Sequence, residues 1–286
     1  MIGHCVLEPL YTASEMKAAE AGHDVETLME RAGRAVAAAA LDRFPDARRF
    51  ACVCGRGANG GDGRIAARVL REAGREAEET EEPSGADVVV DALFGTGFRG
   101  EPRPPAAALI EAMNASGAPI VSVDVPSGVD ASTGEVAGAA VRAALTISFH
   151  GAKVGHQVAP GRFHRGELVL VDIGLERRAT EHRAVTPEIL RLVPRKRPED
   201  TKYTAGAVLV VGGAPGMTGA VCLAAEAALR ADAGYVAVAV PEASLAVVEA
   251  RLLEPVKLSW PRVAEAAAKA RAAAIGPGMG RTAEAR

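Results

Sequence analysis

The chain is expected to be an α/β protein built on parallel strands. Three observations carry that expectation. Strand-like and helix-like runs alternate along the chain, the apolar residues are aliphatic, and glycine-bearing polar segments stand where strands give way to helices. Hydrophobic residues make up 49% of the 286 residues and aromatics only 3%, so Ala, Val, Leu and Ile must build the core. That length exceeds one compact domain and suits one and a half or two.

The first clear element is a helix over residues 26–44, with Leu28, Met29, Ala32, Ala35, Val36 and Ala39 at helical spacing. A strand over 50–54 follows, then a glycine-rich turn and a helix over 63–73. A strand over 87–92 runs into Phe94-Gly95-Thr96-Gly97. A helix over 104–116 leads to a strand over 119–123, and further strands are expected over 144–149 and 167–172. Repeated strand–turn–helix order implies parallel strands joined by right-handed crossovers. Segment 71–85 breaks the pattern: it carries Glu72, Glu76, Glu78, Glu79, Glu81 and Glu82 and few apolar residues. It reads as a solvated loop or helix end, with little room for a strand.

Around Pro194-Arg195-Lys196-Arg197-Pro198-Glu199-Asp200 two prolines flank a charged run, as in a linker. A fresh βα unit then starts: a strand over 207–211, the turn Gly212-Gly213, a helix over 219–233 and a strand over 235–240. A helix over 244–252 and a strand over 272–275 follow. So few strands are not expected to close a sheet, and the second part reads as a fragment. The expected organisation is a domain over 1–194, a linker over 195–201 and a partial domain over 202–286.

A net charge of −3 excludes a strongly basic nucleic-acid binder and gives no reason to invoke a membrane surface. Cys5, Cys52, Cys54 and Cys222 match no zinc or thioredoxin spacing. Cys52 and Cys54 alternate on a strand and read as small buried hydrophobes in a reducing compartment. No apolar run reaches transmembrane length and the first ten residues lack a leader pattern, so a cytoplasmic location is expected.

Four segments carry candidate chemistry. The first is Gly55-Arg56-Gly57-Ala58-Asn59-Gly60-Gly61-Asp62-Gly63, between a strand and a helix. Glycines there let backbone amides approach a ligand, and a helix N-terminus favours an anion. Asp62 would repel a pyrophosphate, so it suits hydroxyl or amide groups of a ligand, or a helix cap. The second is Asp91-Ala92-Leu93-Phe94-Gly95-Thr96-Gly97-Phe98-Arg99-Gly100, and the third is Asp124-Val125-Pro126-Ser127-Gly128-Val129-Asp130. Both follow strands, and ligands in open parallel sheets bind beyond the carboxyl ends at the switch point. The fourth is Thr146-Ile147-Ser148-Phe149-His150-Gly151-Ala152-Lys153. A lone loop lysine is usually a solvated charge; beside Asp124 it could hold that carboxylate ionised or shuttle protons.

Taken together with Leu28-Met29-Glu30-Arg31-Ala32-Gly33, these segments resemble NAD(P)H-hydrate epimerase over roughly residues 10–190. The resemblance implies a Rossmann-like three-layer sandwich. It implies that Ala58, Asn59, Gly60, Gly61 and Asp62, then Gly95, Thr96, Gly97, Phe98, Arg99, Gly100 and Glu101, and finally Asp124, bind the hydrated dinucleotide. It implies a potassium ion held by Asn59, Asp91 and Ser127; oxygen ligands suit a hard cation. Asp124 is then the general acid/base and Lys153 tunes it. Two positions depart from the family: Ala58 stands where Asn is usual, and segment 71–85 replaces a longer strand-bearing stretch.

The second part resembles the ADP-dependent NAD(P)H-hydrate dehydratase, which implies an incomplete ribokinase-like α/β domain. The matching stretches are Lys202-Tyr203-Thr204-Ala205-Gly206, Val210-Val211-Gly212-Gly213, Met217-Thr218-Gly219-Ala220 and Ile275-Gly276-Pro277-Gly278-Met279-Gly280. Ala220 and Gly278 would touch substrate, and ADP would bind only a complete domain. Thr201 stands where His is usual and Asp232 where Gly is common; the family's later Gly-Ala-Gly-Asp motif is missing. The expected activity is epimerisation of the R and S forms of NADHX and NADPHX by a homo-oligomer, with dehydration belonging to a longer parent. Opening of either the C–O or the C–N bond would invert the centre. The competing readings are a non-catalytic dinucleotide-binding module and a ribokinase-like small-molecule kinase.

Overall fold

A computed structural model describes residues 7–176, 178–193, 197–202 and 204–281. Cys5, Pro194, Arg195, Lys196 and Tyr203, named above, lie outside the described residues. The chain separates into two compact units, Met1–Leu192 and Val193–Arg286.

In the first unit, β1 (Leu7–Leu10) leads to α1 (Ala13–Glu20) and α2 (Val25–Arg43). Thr12 and Glu15 form a reciprocal cap on α1, and the Asp24 side chain accepts from Thr27 N at the start of α2. Then come β2 (Arg49–Cys54), α3 (Ala58–Glu72), β3 (Glu76–Glu79), β4 (Val88–Ala92), α4 (Pro104–Ala115), β5 (Ile120–Val123), β6 (Leu145–Phe149), β7 (Glu167–Val171) and β8 (His182–Val185). Six of these strands form one parallel sheet in the order β3-β2-β4-β5-β6-β7.

Both faces of this sheet are covered. One packs Cys52, Val90, Val121 and Ile147 under Val36 of α2 and Ala66 of α3. The other packs Val53, Val89 and Ile120 against Ile110 and Met113 of α4. The unit is therefore a three-layer α/β sandwich, as the alternation of elements predicts. β1 pairs antiparallel with β8, and this small ribbon was not expected. Beyond it the Tyr11 N–H donates to the Ala152 carbonyl and the Val154 N–H to that of Tyr11. The N-terminal segment thereby fixes the backbone on both sides of Lys153.

The glutamate-rich stretch contradicts its reading. Residues Glu76–Glu79 form an edge strand parallel to β2, with Arg49 opposite Glu76 and Cys52 opposite Glu79. Only Ala77 in it is buried. An edge strand needs one apolar residue inward and backbone pairing on one side; charged side chains on such an edge discourage pairing with another chain. The Arg64 guanidinium grips the Glu79 carboxylate through two hydrogen bonds. Composition reported the exposed face and hid the backbone ladder.

A second correction concerns the glycine-rich turn. Helix α3 begins at Ala58, so Asn59, Gly60, Gly61 and Asp62 lie on its first turns. Their glycines serve close packing. A Cβ on Gly60 would stand 1.9 Å from the Gly55 carbonyl oxygen, and one on Gly63 2.4 Å from the Ala92 Cβ. On the other side, a Cβ on Gly61 would strike the Met29 methyl of α2.

The second unit contains β9 (Ala207–Val211), α5 (Thr218–Arg230), β10 (Tyr235–Val240), α6 (Glu242–Arg251), β11 (Val256–Ser259), α7 (Val263–Ala267) and β12 (Ala272–Ile275). Its parallel sheet runs β11-β10-β9-β12. The sequence reading missed β11. The alternation of Tyr235–Val240 serves both faces: Val236, Val238 and Val240 meet Val221 and Ala225 of α5 and Val248 of α6, while Ala237 and Ala239 join Leu209, Val211 and Leu258 opposite. The four strands thus carry a two-sided core, which the fragment reading did not anticipate. Asp232 takes φ 73°, a left-handed conformation that accounts for glycine being common there.

Candidate functional site

In the first unit the chain leaves β2 through α3 to reach β3 on one side, then returns to β4 on the other. Helix α3 covers one face and α4 the opposite one. The carboxyl ends of β2 and β4 are therefore the switch point, where adjacent connections diverge and leave a crevice. A cavity of about 1,020 Å³ opens there. That is the size range of a ligand site.

The start of α3 forms one wall. Gly57 precedes the helix with no side-chain cap, so the first-turn N–H groups lack intrahelical partners and the positive end of the helix dipole faces the cavity. Arg56, Arg99 and Arg103 stand around the same space, and Phe94 stacks on Phe98 with centroids 4.8 Å apart. Phosphate groups suit the first feature and a flat ring the last.

Asp124 ends β5. It takes φ 64°, unusual outside glycine but tolerated by Asp, while its N–H still donates to the Ile147 carbonyl at 2.7 Å. Its carboxylate reaches the cavity and is held from behind. Lys153 Nζ donates to Oδ1 at 2.5 Å, to Ser148 Oγ at 2.9 Å and to the Phe149 carbonyl at 2.8 Å. The Ser148 hydroxyl donates to the same Oδ1 at 3.1 Å. Lys153 is fully buried and does not line the cavity. It reaches Asp124 from the carboxyl end of β6, because the Tyr11 pairing draws its backbone behind that strand. The Lys153 N–H donates to His156 Nδ1 at 3.0 Å, which leaves the ring hydrogen on Nε2. Burial, with the Lys153 charge next, drives the His156 pKa down to about 3, so the imidazole is neutral.

Asp62, on the second turn of α3, is the other carboxyl that lines the cavity from deep within the fold. Among the described residues no hydrogen bond or ion pair engages it. Burial first, then the charges of Asp124 and Glu20, push it up to about 8. Glu20, from the end of α1, is raised by burial and by Asp124, with Lys153 opposing. Nothing in the local sequence marked Glu20. Ser148 could have been found, since Thr146 and Ser148 put hydroxyls on alternate positions of an otherwise apolar, fully buried strand.

Asn59, Asp91 and Ser127 meet around the Phe94 peptide. Asn59 Nδ2 donates to the Phe94 carbonyl at 2.9 Å, and the Phe94 N–H donates to Ser127 Oγ at 2.9 Å. Asp91 accepts from the Ser122 and Ser127 hydroxyls and from the backbone N–H groups of Leu93 and Ser127. Neither Asp91 nor Ser127 lines the cavity. Asn59, Asp91 and Ser127 bring an amide oxygen, a carboxylate and a hydroxyl to the neighbourhood of the Phe94 carbonyl, oxygen donors of the kind that a monovalent hard cation takes. Among the described residues no group of three or more His, Cys, Asp or Glu side chains could hold a metal ion.

Of the expected ligand contacts, Ala58, Asn59, Asp62, Gly95, Thr96, Gly97, Phe98, Arg99, Glu101 and Asp124 line the cavity. Gly60, Gly61 and Gly100 do not. The first two face Gly55 and Met29, because α3 must lie tight on the sheet and on α2. Gly100, at φ 75°, turns the chain after Arg99. In the second unit, Ala220 is exposed at the start of α5. Gly278, at φ 61°, packs on Met217, and its carbonyl accepts from the Ala214 N–H at 2.8 Å. Both therefore stand near the carboxyl ends of β9 and β12.

Residues 25–79 and 73–155 match the family described as YjeF-related protein N-terminus, and residues 208–286 match NAD(P)H-hydrate dehydratase. The chain is 40% identical to the bifunctional NAD(P)H-hydrate repair enzyme of Pyrobaculum aerophilum, over 88% of this chain and 60% of that one. The chain is a YjeF-related N-terminal domain followed by NAD(P)H-hydrate dehydratase sequence. Two further repair enzymes are similar to it. The Methanothermobacter thermautotrophicus enzyme is 38% identical over 82% of this chain and 53% of its own length. The Escherichia coli enzyme is 32% identical over 88% and 56%. The chain thus spans less than two thirds of the length of these repair enzymes. Among the described residues no helix is long and apolar enough to cross a membrane.

Proposed function

We propose that the first unit epimerises the R and S forms of hydrated NADH and NADPH. The observation that carries this reading is the Asp124 carboxylate, clamped from behind by buried Lys153 and open in front to the switch-point cavity. The N-terminus of α3 and the neighbouring arginines take the phosphates, and the hydrated nicotinamide ring lies against Asp124. The reacting carbon bears a hydroxyl and the ring nitrogen, so proton exchange at either can open and reclose the centre. Lys153 is a positioning residue: it holds the Asp124 carboxyl group in place. A potassium ion at Asn59, Asp91, Ser127 and the Phe94 carbonyl would supply positive charge that pins the Gly95–Gly97 loop over the ligand. ADP-dependent dehydration of the S form is assigned to the whole protein, to which the second unit contributes Ala220 and Gly278. The chain acts as a homo-oligomer in the cytoplasm, without a nucleic-acid or membrane partner.

Chiral separation of the two epimers over time tests this. Asp124→Asn keeps the size of the side chain and removes its proton exchange, so interconversion should fall about 100- to 10,000-fold while calorimetric binding survives. Asp130→Asn should do far less: Asp130 Oδ1 accepts from the N–H groups of Ser132 and Thr133, a turn-making role. Potassium should support a higher rate than sodium in the same assay. A parent chain that binds both hydrates and interconverts neither would establish the binding-module reading.

A further inference from the structure

Among the carboxyl groups that line the cavity, two are buried, and their surroundings differ. Asp124 is surrounded by donors: the Lys153 ammonium at 2.5 Å, the Ser148 hydroxyl at 3.1 Å and the Phe149 N–H at 3.5 Å. Asp62 is as deeply buried, at 8% exposed for both, and has no donor at all among the described residues. The charges that act on it are those of Asp124 and of Glu20 from α1, both acids; α2 lines the cavity with Leu28, Met29 and Ala32, and Arg56, Arg99 and Arg103 line it without a hydrogen bond or ion pair to Asp62. Lys153 is spent behind Asp124. A carboxyl so placed keeps its proton, consistent with its pKa of about 8. A protonated carboxyl beside one gripped by an ammonium and a hydroxyl places an acid and an acceptor on one cavity.

We infer that Asp62 is the proton donor that works with Asp124 as proton acceptor, and that the pair opens the bond between the carbinol carbon and the ring nitrogen. This rests on the epimerase reading of the site. The step balances without a co-reactant. Asp124 takes the hydroxyl proton, and the O–H electron pair becomes the second C–O bond. The C–N pair moves to nitrogen, which takes the proton of Asp62. The product is an open-chain aldehyde with a secondary amine. Rotation about the single bond beside the aldehyde presents its other face. Nitrogen then attacks, its proton returns to Asp62, and the alkoxide recovers the proton held on Asp124. C–N cleavage uses both groups in one step and needs no water to leave or enter, whereas loss of the hydroxyl as water would use Asp62 as the acid and Asp124 only when water adds back.

Three readouts test the inference. Asp62→Asn matches the shape of the protonated acid but donates no exchangeable acid proton. It should lower interconversion about 100- to 10,000-fold with hydrate binding unchanged. In the parent the rate should fall as pH rises through about 8, and the variant's residual rate should lose that alkaline limb. In ¹⁸O-labelled water the inverted hydrate should keep its original oxygen. A variant at the parent rate, or one that keeps the alkaline limb, overturns the role of Asp62. One ¹⁸O gained per inversion overturns C–N cleavage. Should Asp62→Asn fail to fold, the parent's alkaline limb and its oxygen retention decide. A parent that inverts neither hydrate overturns the epimerase reading and this inference with it; a parent that inverts both beside an equally active variant overturns this inference alone.

Discussion

Replacing Lys153 by Met tests how much of the site's structure rests on one buried ammonium. The substitution preserves chain length and apolar stem and deletes three hydrogen bonds, to Asp124 Oδ1, Ser148 Oγ and the Phe149 carbonyl. Removing one partner of a buried ion pair typically costs about 3–5 kcal/mol, because the other charge stays behind uncompensated. Here Asp124 keeps the Ser148 hydroxyl, and its side chain is 12% exposed toward the cavity, so the lower end, about 3 kcal/mol, applies. For a unit of this size that corresponds to a fall in Tm of about 6–12 °C. The single tryptophan, Trp260, lies in the second unit, so far-UV circular dichroism should be followed instead of its fluorescence. Asp124→Asn combined with Lys153→Met removes the stranded charge and should recover part of the loss. A single variant within about 1 kcal/mol of the parent, or a double variant no more stable than the single one, would refute the buried-pair argument.

Two further expectations concern the frame around the site. Gly60→Ala, normally stabilising inside a helix, should instead cost about 1–3 kcal/mol or more in chemical denaturation, since its Cβ would meet the Gly55 carbonyl oxygen at 1.9 Å. Gly57→Ala, with open space, serves as the control. His156 stays neutral when folded down to about pH 3, whereas the unfolded chain takes up that proton near 6.5. Its contribution to stability is therefore present above about 6.5 and lost as pH falls toward 3. His156→Asn should flatten the acid side of the stability–pH curve, and an unchanged slope between pH 6 and 4 would contradict the neutral-imidazole assignment.

The order of elements and the loops that carry chemistry were legible in the sequence because each is a local matter. Helical spacing set α2, an unbroken run of aliphatic residues set β4, and a strand's end followed by Gly95-Thr96-Gly97 marked a ligand loop without any knowledge of neighbours. Asp124 stood out for the same reason. What tertiary structure decided were matters of pairing and direction. Segment 76–79 is a strand because β2 supplies a backbone ladder, although its side chains describe a solvated surface. Gly60 and Gly61 face packing partners because helix α3 starts five residues earlier than glycine content suggested, and helix ends are set by tertiary contact as much as by propensity. The difference between Asp62 and Asp124 is the clearest case. Asp62 stands between glycines on a helix and Asp124 follows a strand, and neither one's sequence neighbours tell which partners it meets. Lys153 is brought to Asp124 by β6 and the Tyr11 bridge, and no cation is brought to Asp62 among the described residues. Ionisation inside a protein depends on the charges and donors within a few ångströms, and only the fold determines which residues those are.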